Sequence, residues 1–183
     1  MDEENHLLEG AHRFDLEYLA AIYDRYSDRL YSYAVRLLGD ADLAEECVAE
    51  TFSRFLQALR NGGGPRNHLQ AYLYRVAHNW ITDLFRRQPR LVELEENLGS
   101  HENNEVDEVV YTEQEKQRLR MALQALTPDQ RQVIVLRYFE GWENEQVAAA
   151  LEKPVGAVKA LQHRAVASLR RWLNPDGKEK ENR

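Results

Sequence analysis

The apolar positions of the first half of the chain recur at the three- and four-residue spacing of helices that each turn one face inward. Between Asp15 and Leu38 the residues Leu16, Leu19, Tyr23, Tyr26, Leu30, Tyr33 and Leu37 form such a stripe, and Gly39 supplies the stop. One long amphipathic helix is predicted there. A second stripe, Ala44, Cys47, Val48, Thr51, Phe55 and Leu59, follows Asp42, which is expected to cap its helix with Glu45 three residues on. The outward side carries Glu46, Glu50, Ser53 and Gln57. Because the dipole favours acids in a first turn, residue type alone reads Glu45 and Glu46 as a solvated helix start. Asn61-Gly-Gly-Gly-Pro65 then cannot continue a helix and predicts a loop, with a third helix from about His68. Along it Leu69, Leu73, Val76, Trp80 and Leu84 face a core, while Arg75, Asn79, Thr82 and Arg86, flanked by Tyr72, His78 and Arg87, form another face. Cations, amides and rings on one surface suit single-stranded nucleic acid. A solvated stripe with Trp80 as core is the plainer alternative.

From Gln88 the periodicity fails. Pro89 breaks the helix, and up to Glu113 the acids Glu93, Glu95, Glu96, Glu102, Glu105, Asp107, Glu108 and Glu113 face only Arg90 as a full cation, which predicts a flexible acidic linker. Helical spacing returns from about Thr112 to Leu126, with Leu119, Ala122, Leu123 and Leu126 inward. Thr127-Pro128 opens the next helix with an N-cap, a proline at the first helical position and Gln130 placed for a capping box, and Gly141 ends it. A short helix from about Asn144 to Leu151, a turn at Lys153-Pro154 and a longer helix from Val155 to Trp172 complete a helix-turn-helix pattern. The last helix has Val158, Leu161, Ala165, Leu169 and Trp172 as its buried stripe and Lys159, His163, Arg164, Arg170 and Arg171 on a polar face suited to phosphates and base edges. On this stretch alone, an ordinary helical hairpin with a solvated basic side stays open.

Composition narrows the choice. A chain of 183 residues, 43% of them apolar, with three Trp and nine Tyr, is sufficient for one large or two small helical domains with real cores. It holds no apolar run long enough to cross a bilayer. The acidic Met1 to Glu9 stretch lacks the form of an export signal, so a cytoplasmic location and no membrane contact are expected. Cys47 has no cysteine to pair with and reads as core packing. His6, His12, His68, His78, His101 and His163 are scattered, no HExxH occurs, and the glycine cluster lacks the lysine and serine of a P-loop, so no metal, cofactor or catalytic residue is expected. The net charge of -7 runs against nucleic-acid binding, but from Gln114 to Leu173 ten Lys/Arg outnumber six acids. The second half is basic.

Two motif sets point the same way. Gly39 to Phe52 (GDADLAEECVAETF), Tyr72 to Asn79 (YLYRVAHN) and Asp83 to Arg87 (DLFRR) resemble domain 2 of the extracytoplasmic-function sigma factors of bacterial RNA polymerase. Leu126 to Gly141 (LTPDQRQVIVLRYFEG), Pro154 to Lys159 (PVGAVK) and His163 to Ala165 are similar to their domain 4. The resemblance implies an all-α protein with domain 2 over residues 14–88 and domain 4 over 113–173, joined by the acidic linker over 89–112, and the charged tail over 174–183 is expected to be disordered. It further implies an alternative sigma factor, non-enzymatic and without a cofactor, that binds core polymerase and directs promoter-specific initiation. Asp42, Glu45, Glu46 and Glu50 match the region that docks on the β′ clamp helices. Asn61, Arg66, His68, Arg75, His78, Asn79, Asp83, Arg86 and Arg87 match the part that opens the −10 element and holds a non-template base out of the stack. Val155, Ala157, Lys159, Ala160, His163 and Arg164 match the reader of the −35 duplex. The β flap and an anti-sigma factor are further expected partners. A conventional two-domain helix-turn-helix regulator is the alternative, and it would bind duplex DNA without polymerase.

The chain departs from the family pattern in the last helix. A threonine and a serine are usual at the places of Ala157 and Ala160, a basic residue at Leu161, a leucine at Gln162, and a glycine at Glu152. Fewer base-reading groups remain, which shifts the expected promoter specificity toward the Asn61 to Arg87 segment and toward duplex shape. Moving the leucine by one position turns the buried stripe by about one residue.

Overall fold

The computed structural model describes residues 3–87 and 113–173, and among them only helices occur as regular secondary structure. The segment expected as linker, 89–112, and the tail, 174–183, lie outside the described residues. Capping sets the bounds of the first helices. Helix α2 (Leu16–Leu38) starts at Asp15, whose carboxylate accepts from the Glu17 N–H, and stops at Gly39, which sits in the left-handed region at φ 72° and donates to the Val35 carbonyl. Helix α3 (Ala41–Arg60) follows at once. Its cap is Asp40, extended at φ −130° and accepting from the Leu43 N–H, while Asp42 already lies in the first turn. The expected cap was therefore two residues late, because the left-handed glycine leaves only one residue free to be extended before the helix begins.

Sequence periodicity gave no helix before Asp15, yet α1 (Glu3–His12) is present. It is too polar to stand alone and is held by what it touches. Leu8 and Ala11 are buried, Tyr26 Oη and the Gln70 N–H both donate to Glu4 Oε1 (3.2 and 2.8 Å), and the His12 ring meets the Pro65 carbonyl through Nε2 at 2.9 Å. Gly10 lets α1 lie directly on α2: a Cβ there would come within 2.0 Å of Tyr18 Cγ.

Helix α4 (Leu69–Arg87) lies against α3 and α2. Its buried residues are Leu69, Leu73, Tyr74, Ala77, His78 and Ile81. Val76, Trp80 and Leu84 are only partly buried, so the inward face is turned by about one residue from the stripe expected and takes in Tyr74 and His78. The second half comprises α5 (Glu113–Gln124), α6 (Pro128–Ile134), a π-helical turn over Val135–Phe139, α7 (Asn144–Leu151) and α8 (Val155–Leu173). Thr127 and Gln130 form the capping box anticipated. Ala122, Leu123 and Leu126 are buried, but Leu119 is 40% exposed. On α8, Val158 and Ala165 are buried, and Leu161, Leu169 and Trp172 are partly so. Five positions of the stripe thus cover more surface than the short α6 and α7 can bury.

The main apolar cluster crosses between the halves. It joins residues of α1 to α4 with Val133, Val135, Leu136, Trp142, Val147, Leu151 and Val158, while Leu123, Leu126, Ile134 and Ala165 form a smaller one. Helix α7 packs on α4, and α5, α6 and the π turn pack on α2.

Candidate nucleic-acid interface

Three faces of unlike charge are built on this frame. On α3, burial of Ala44, Cys47, Val48, Thr51, Phe55 and Leu59 turns Asp42, Glu45 and Glu46 into solvent in a row three and four residues apart. Glu50 is partly buried, and its Oε1 accepts from Arg54 Nε at 2.7 Å. The ridge is thus most acidic in its first two turns. Cys47, beneath it, is buried, and desolvation pushes its thiol up to about 12, so it stays protonated and serves as packing.

The second face combines the loop after α3 with α4. Asn61, Arg66 and His68 are exposed, with His68 at φ 52°. The loop is pinned between them, since Pro65 is buried and held by His12, and Glu4 caps the start of α4 through the Gln70 N–H. Sequence reading missed this support, because it depends on groups more than fifty residues apart. Along α4, Asn79, Arg86 and Arg87 are exposed, and Asp83 pairs with Arg86 at 3.5 Å. Arg75 lies 5.5 Å from the Tyr72 ring centre and 3.2 Å from Glu152. His78 is different: it is 7% exposed, and burial lowers its pKa to about 4, so it is neutral at ordinary pH. A side chain expected on a nucleic-acid face is here covered by the second half.

The third face is the outward side of α8. Lys159, Ala160, His163 and Arg164 are exposed, and Val155 and Ala157 are partly so. Beside them a shallow groove of about 350 Å³ runs between α8 and Tyr138, lined by Lys159, His163, Val166 and Arg170. Gln162 donates to Tyr138 Oη at 3.1 Å across it. The π turn presents Tyr138, which is 59% exposed.

Behind these faces two charged side chains join the halves. Arg131 is 3% exposed and donates to the carbonyls of Leu123, Gln124 and Leu126 and, across to α2, of Leu37. It closes the C-terminal ends of α5 and α2 together. Burial pulls its pKa down to about 10. The Glu140 carboxylate, 6% exposed, accepts from Tyr74 Oη at 2.7 Å and lies 3.6 and 3.7 Å from Arg29 and Arg36. Neither residue shows in the periodicity, which records burial but not what a buried charge meets.

Among the described residues, no cluster of His, Cys, Asp or Glu has the form of a metal site, and no helix is long and apolar enough to cross a membrane. The described residues thus present an acidic ridge, a mixed cationic and aromatic face and a cationic helix-turn-helix. Comparison with known proteins gives the family. Sigma-70 region 2 matches residues 22–91, and Sigma-70 region 4 matches residues 116–169. The chain is 34% identical over 170 residues to the ECF RNA polymerase sigma factor SigL of Mycobacterium tuberculosis, covering 92% of this chain and 96% of that protein. It is 26% identical over 159 residues to the ECF RNA polymerase sigma factor SigX of Bacillus subtilis, covering 83% and 81%. In fold it is similar to CnrH solved in complex with the cytosolic domain of CnrY, at TM-score 0.72 and 23% identity over 96% of this chain and 99% of that one. It is also similar to RpoE of Bartonella quintana solved with the anti-sigma factor NepR, at TM-score 0.66 and 23% identity over 86% and 97%. With both sigma regions present in order and one relative matched almost end to end, the chain belongs to the extracytoplasmic-function sigma factors of the sigma-70 family, and it is an alternative sigma factor that directs transcription initiation with RNA polymerase.

Proposed function

We propose that the three faces divide the work of initiation. Asp42, Glu45, Glu46 and Glu50 dock on the β′ clamp helices of core polymerase, where complementary charge orients assembly. The Asn61 to His68 loop, with Arg75, His78, Asn79, Asp83, Arg86 and Arg87, opens the −10 element and holds a non-template base. Val155, Ala157, Lys159, Ala160, His163 and Arg164 approach the −35 duplex, mostly through phosphates and shape, since alanines stand where polar readers are usual. Residues 14–88 and 113–173 act as separate domains on the tether 89–112, so that docking of the first raises the local concentration of the second at its element. The β flap receives the second domain. The protein works in the cytoplasm and supplies binding energy and strand capture, leaving bond chemistry to the polymerase. The similar RpoE was solved with the anti-sigma factor NepR, which supports an anti-sigma factor as a further partner.

The observation that carries this reading is the separation of charge on one chain. An exposed acidic ridge on α3 suits a protein with basic helices, and an exposed cationic ridge on α8 suits DNA. Run-off transcription with core polymerase on a promoter library tests it. Glu46→Lys with Glu50→Lys is expected to weaken core binding by about tenfold, in the range of charges at an interface rim. Lys159→Ala with Arg164→Ala is expected to spare core binding and to lower the salt slope of promoter binding by about two. Unchanged core affinity for the charge-reversed protein rejects the docking assignment. Specific duplex binding by the free protein, indifferent to core polymerase, rejects the whole reading in favour of a conventional regulator.

A further inference from the structure

Helix α1 buries Leu8, Gly10 and Ala11, and two of its polar side chains converge on one place, the Asn61 to His68 loop and the start of α4. Three ties reach this segment from α1 and the turn that follows it. At the near end, Arg60 lies 6.0 Å from the ring centre of Phe14, in that turn. In the middle, the Pro65 carbonyl meets His12 Nε2 at 2.9 Å. Because a carbonyl only accepts, the ring carries its proton on Nε2 and donates. At the far end, Glu4 Oε1 accepts from the Gln70 N–H at 2.8 Å and from Tyr26 Oη at 3.2 Å. We propose that α1 is a splint for this loop, in which His12 and Glu4 are positioning residues that fix how Arg66, Asn67 and His68 meet the displaced strand, and so which base is accepted there.

The loop has little of its own to hold it. The N–H groups of Asn61, Gly62 and Gly63 return to carbonyls of α3 and finish that helix. From Gly64 to Asn67, among the described residues, the His12 ring is the one hydrogen-bond partner of the main chain. Gly62 and Gly64 are left-handed, at φ 74° and 89°, and glycines keep several backbone states open when nothing outside restrains them. The start of α4 has the same need. A Ser, Thr, Asp or Asn in extended conformation commonly accepts the first N–H groups of a helix. Here the residue before α4 is His68, left-handed at φ 52°, and the Gln70 N–H is capped by Glu4, 66 residues away. Between these anchors Pro65 is buried, and the three residues that follow it are exposed. A buried pivot followed by exposed polar side chains aims them in one direction. That matters for strand capture, because a loop ordered beforehand does not lose affinity to ordering when a base arrives, and a loop free to adapt accepts more than one base. All three ties lie within the first half of the chain, so the splint does not involve α5 to α8.

The inference rests on the assignment of the loop to the −10 strand, and the experiment keeps the two apart. The full chain is assembled with core polymerase, and fluorescence anisotropy measures binding to a labelled fork template made from the most active promoter of the run-off library, with its non-template strand single over the −10 element. The same template is then tested with each other base at each −10 position. Glu4→Ala with His12→Ala removes the splint's hydrogen bonds, whereas Glu4→Gln with His12→Gln keeps an acceptor and a donor. Arg66→Ala with His68→Ala strips the loop itself. The alanine pair is expected to keep its affinity for core polymerase and to lose about tenfold in discrimination at a −10 position, the effect of two hydrogen bonds of ordinary strength, and the amide pair to recover most of it. Unchanged discrimination in the alanine pair, with weak fork binding by the loop variant, overturns the splint and leaves the −10 assignment standing. Unchanged fork binding by the loop variant overturns the assignment and the splint with it. An equal loss in the alanine and amide pairs shows that these hydrogen bonds do not set the base, and a matching fall in core affinity shows damage to the whole domain; either overturns the splint. Should the alanine pair melt well below wild type, His12→Ala alone is read by the same outcomes.

Discussion

Arg131→Met tests whether a buried cation joins the helix ends of the two halves or merely occupies space between them. Methionine has comparable length and no charge. The substitution strips the donor from four carbonyls, those of Leu37, Leu123, Gln124 and Leu126, and removes the guanidinium that lies 5.7 Å from the Phe85 ring centre. Hydrogen bonds from a charged donor contribute about 1.5 kcal/mol each at the low end, or about 6 kcal/mol for four. Burying the charge opposes this. The fall of the Arg131 pKa from its ordinary value to about 10 corresponds to about 3 kcal/mol that the variant recovers. The net loss is therefore about 3 kcal/mol, and for a chain of this size it lowers the melting temperature by about 6–12 °C. Differential scanning calorimetry of the full chain at neutral pH measures it. Arg131→Lys should fall between wild type and Arg131→Met, because one ammonium cannot reach carbonyls at two helix ends. A loss below about 2 °C for the methionine variant would refute the reasoning, by showing that desolvation of the guanidinium costs as much as its bonds return.

Two other perturbations test parts that sequence reading missed. Gly10→Ala puts a Cβ 2.0 Å from Tyr18 Cγ; overpacking of about 1–3 kcal/mol should outweigh the roughly 1 kcal/mol that alanine gains in a helix, and a higher midpoint in urea would contradict the close approach of α1 to α2. His78 has its pKa lowered to about 4 by burial, with Asp129 and Glu152 pulling it up and Lys153 pushing it down. Since the unfolded imidazole titrates near 6.5, the unfolded chain binds more protons between these values, so the stability this residue contributes is whole above pH 6.5 and falls as pH drops toward 4. Thermal melts at pH 7 and pH 5 should therefore differ more for wild type than for His78→Gln, and equal differences would mean that His78 is hydrated.

The helices were legible where local rules act alone. Thr127, Pro128 and Gln130 cap a helix by contacts within four residues, and Gly39 ends one by its own conformational freedom, so both were placed correctly. The reading slipped where two local candidates competed, as with Asp40 and Asp42, or where burial came from a distant element, as with α1 and with the turned inward face of α4. Exposure of the acidic ridge on α3 and the basic ridge on α8 follows from periodicity, because a side chain opposite a buried stripe must face outward. Covering of Arg75 and His78 does not follow, since nothing local to α4 records that α6 and α7 lie on it.

What the sequence determined by itself is therefore the described helices after α1, the sign of charge on each outward face and, through its motifs, the family. Which of those faces are free was decided only by tertiary structure. Glu140, Glu152 and Arg131 meet partners about 66 to 94 residues away. Such pairings depend on how whole helices pack, and helical period, propensity and capping extend over only a few residues. The acidic ridge of α3 projects to solvent in either case. On α4, Asn79, Arg86 and Arg87 are exposed as well, but His78 is buried beneath the second half.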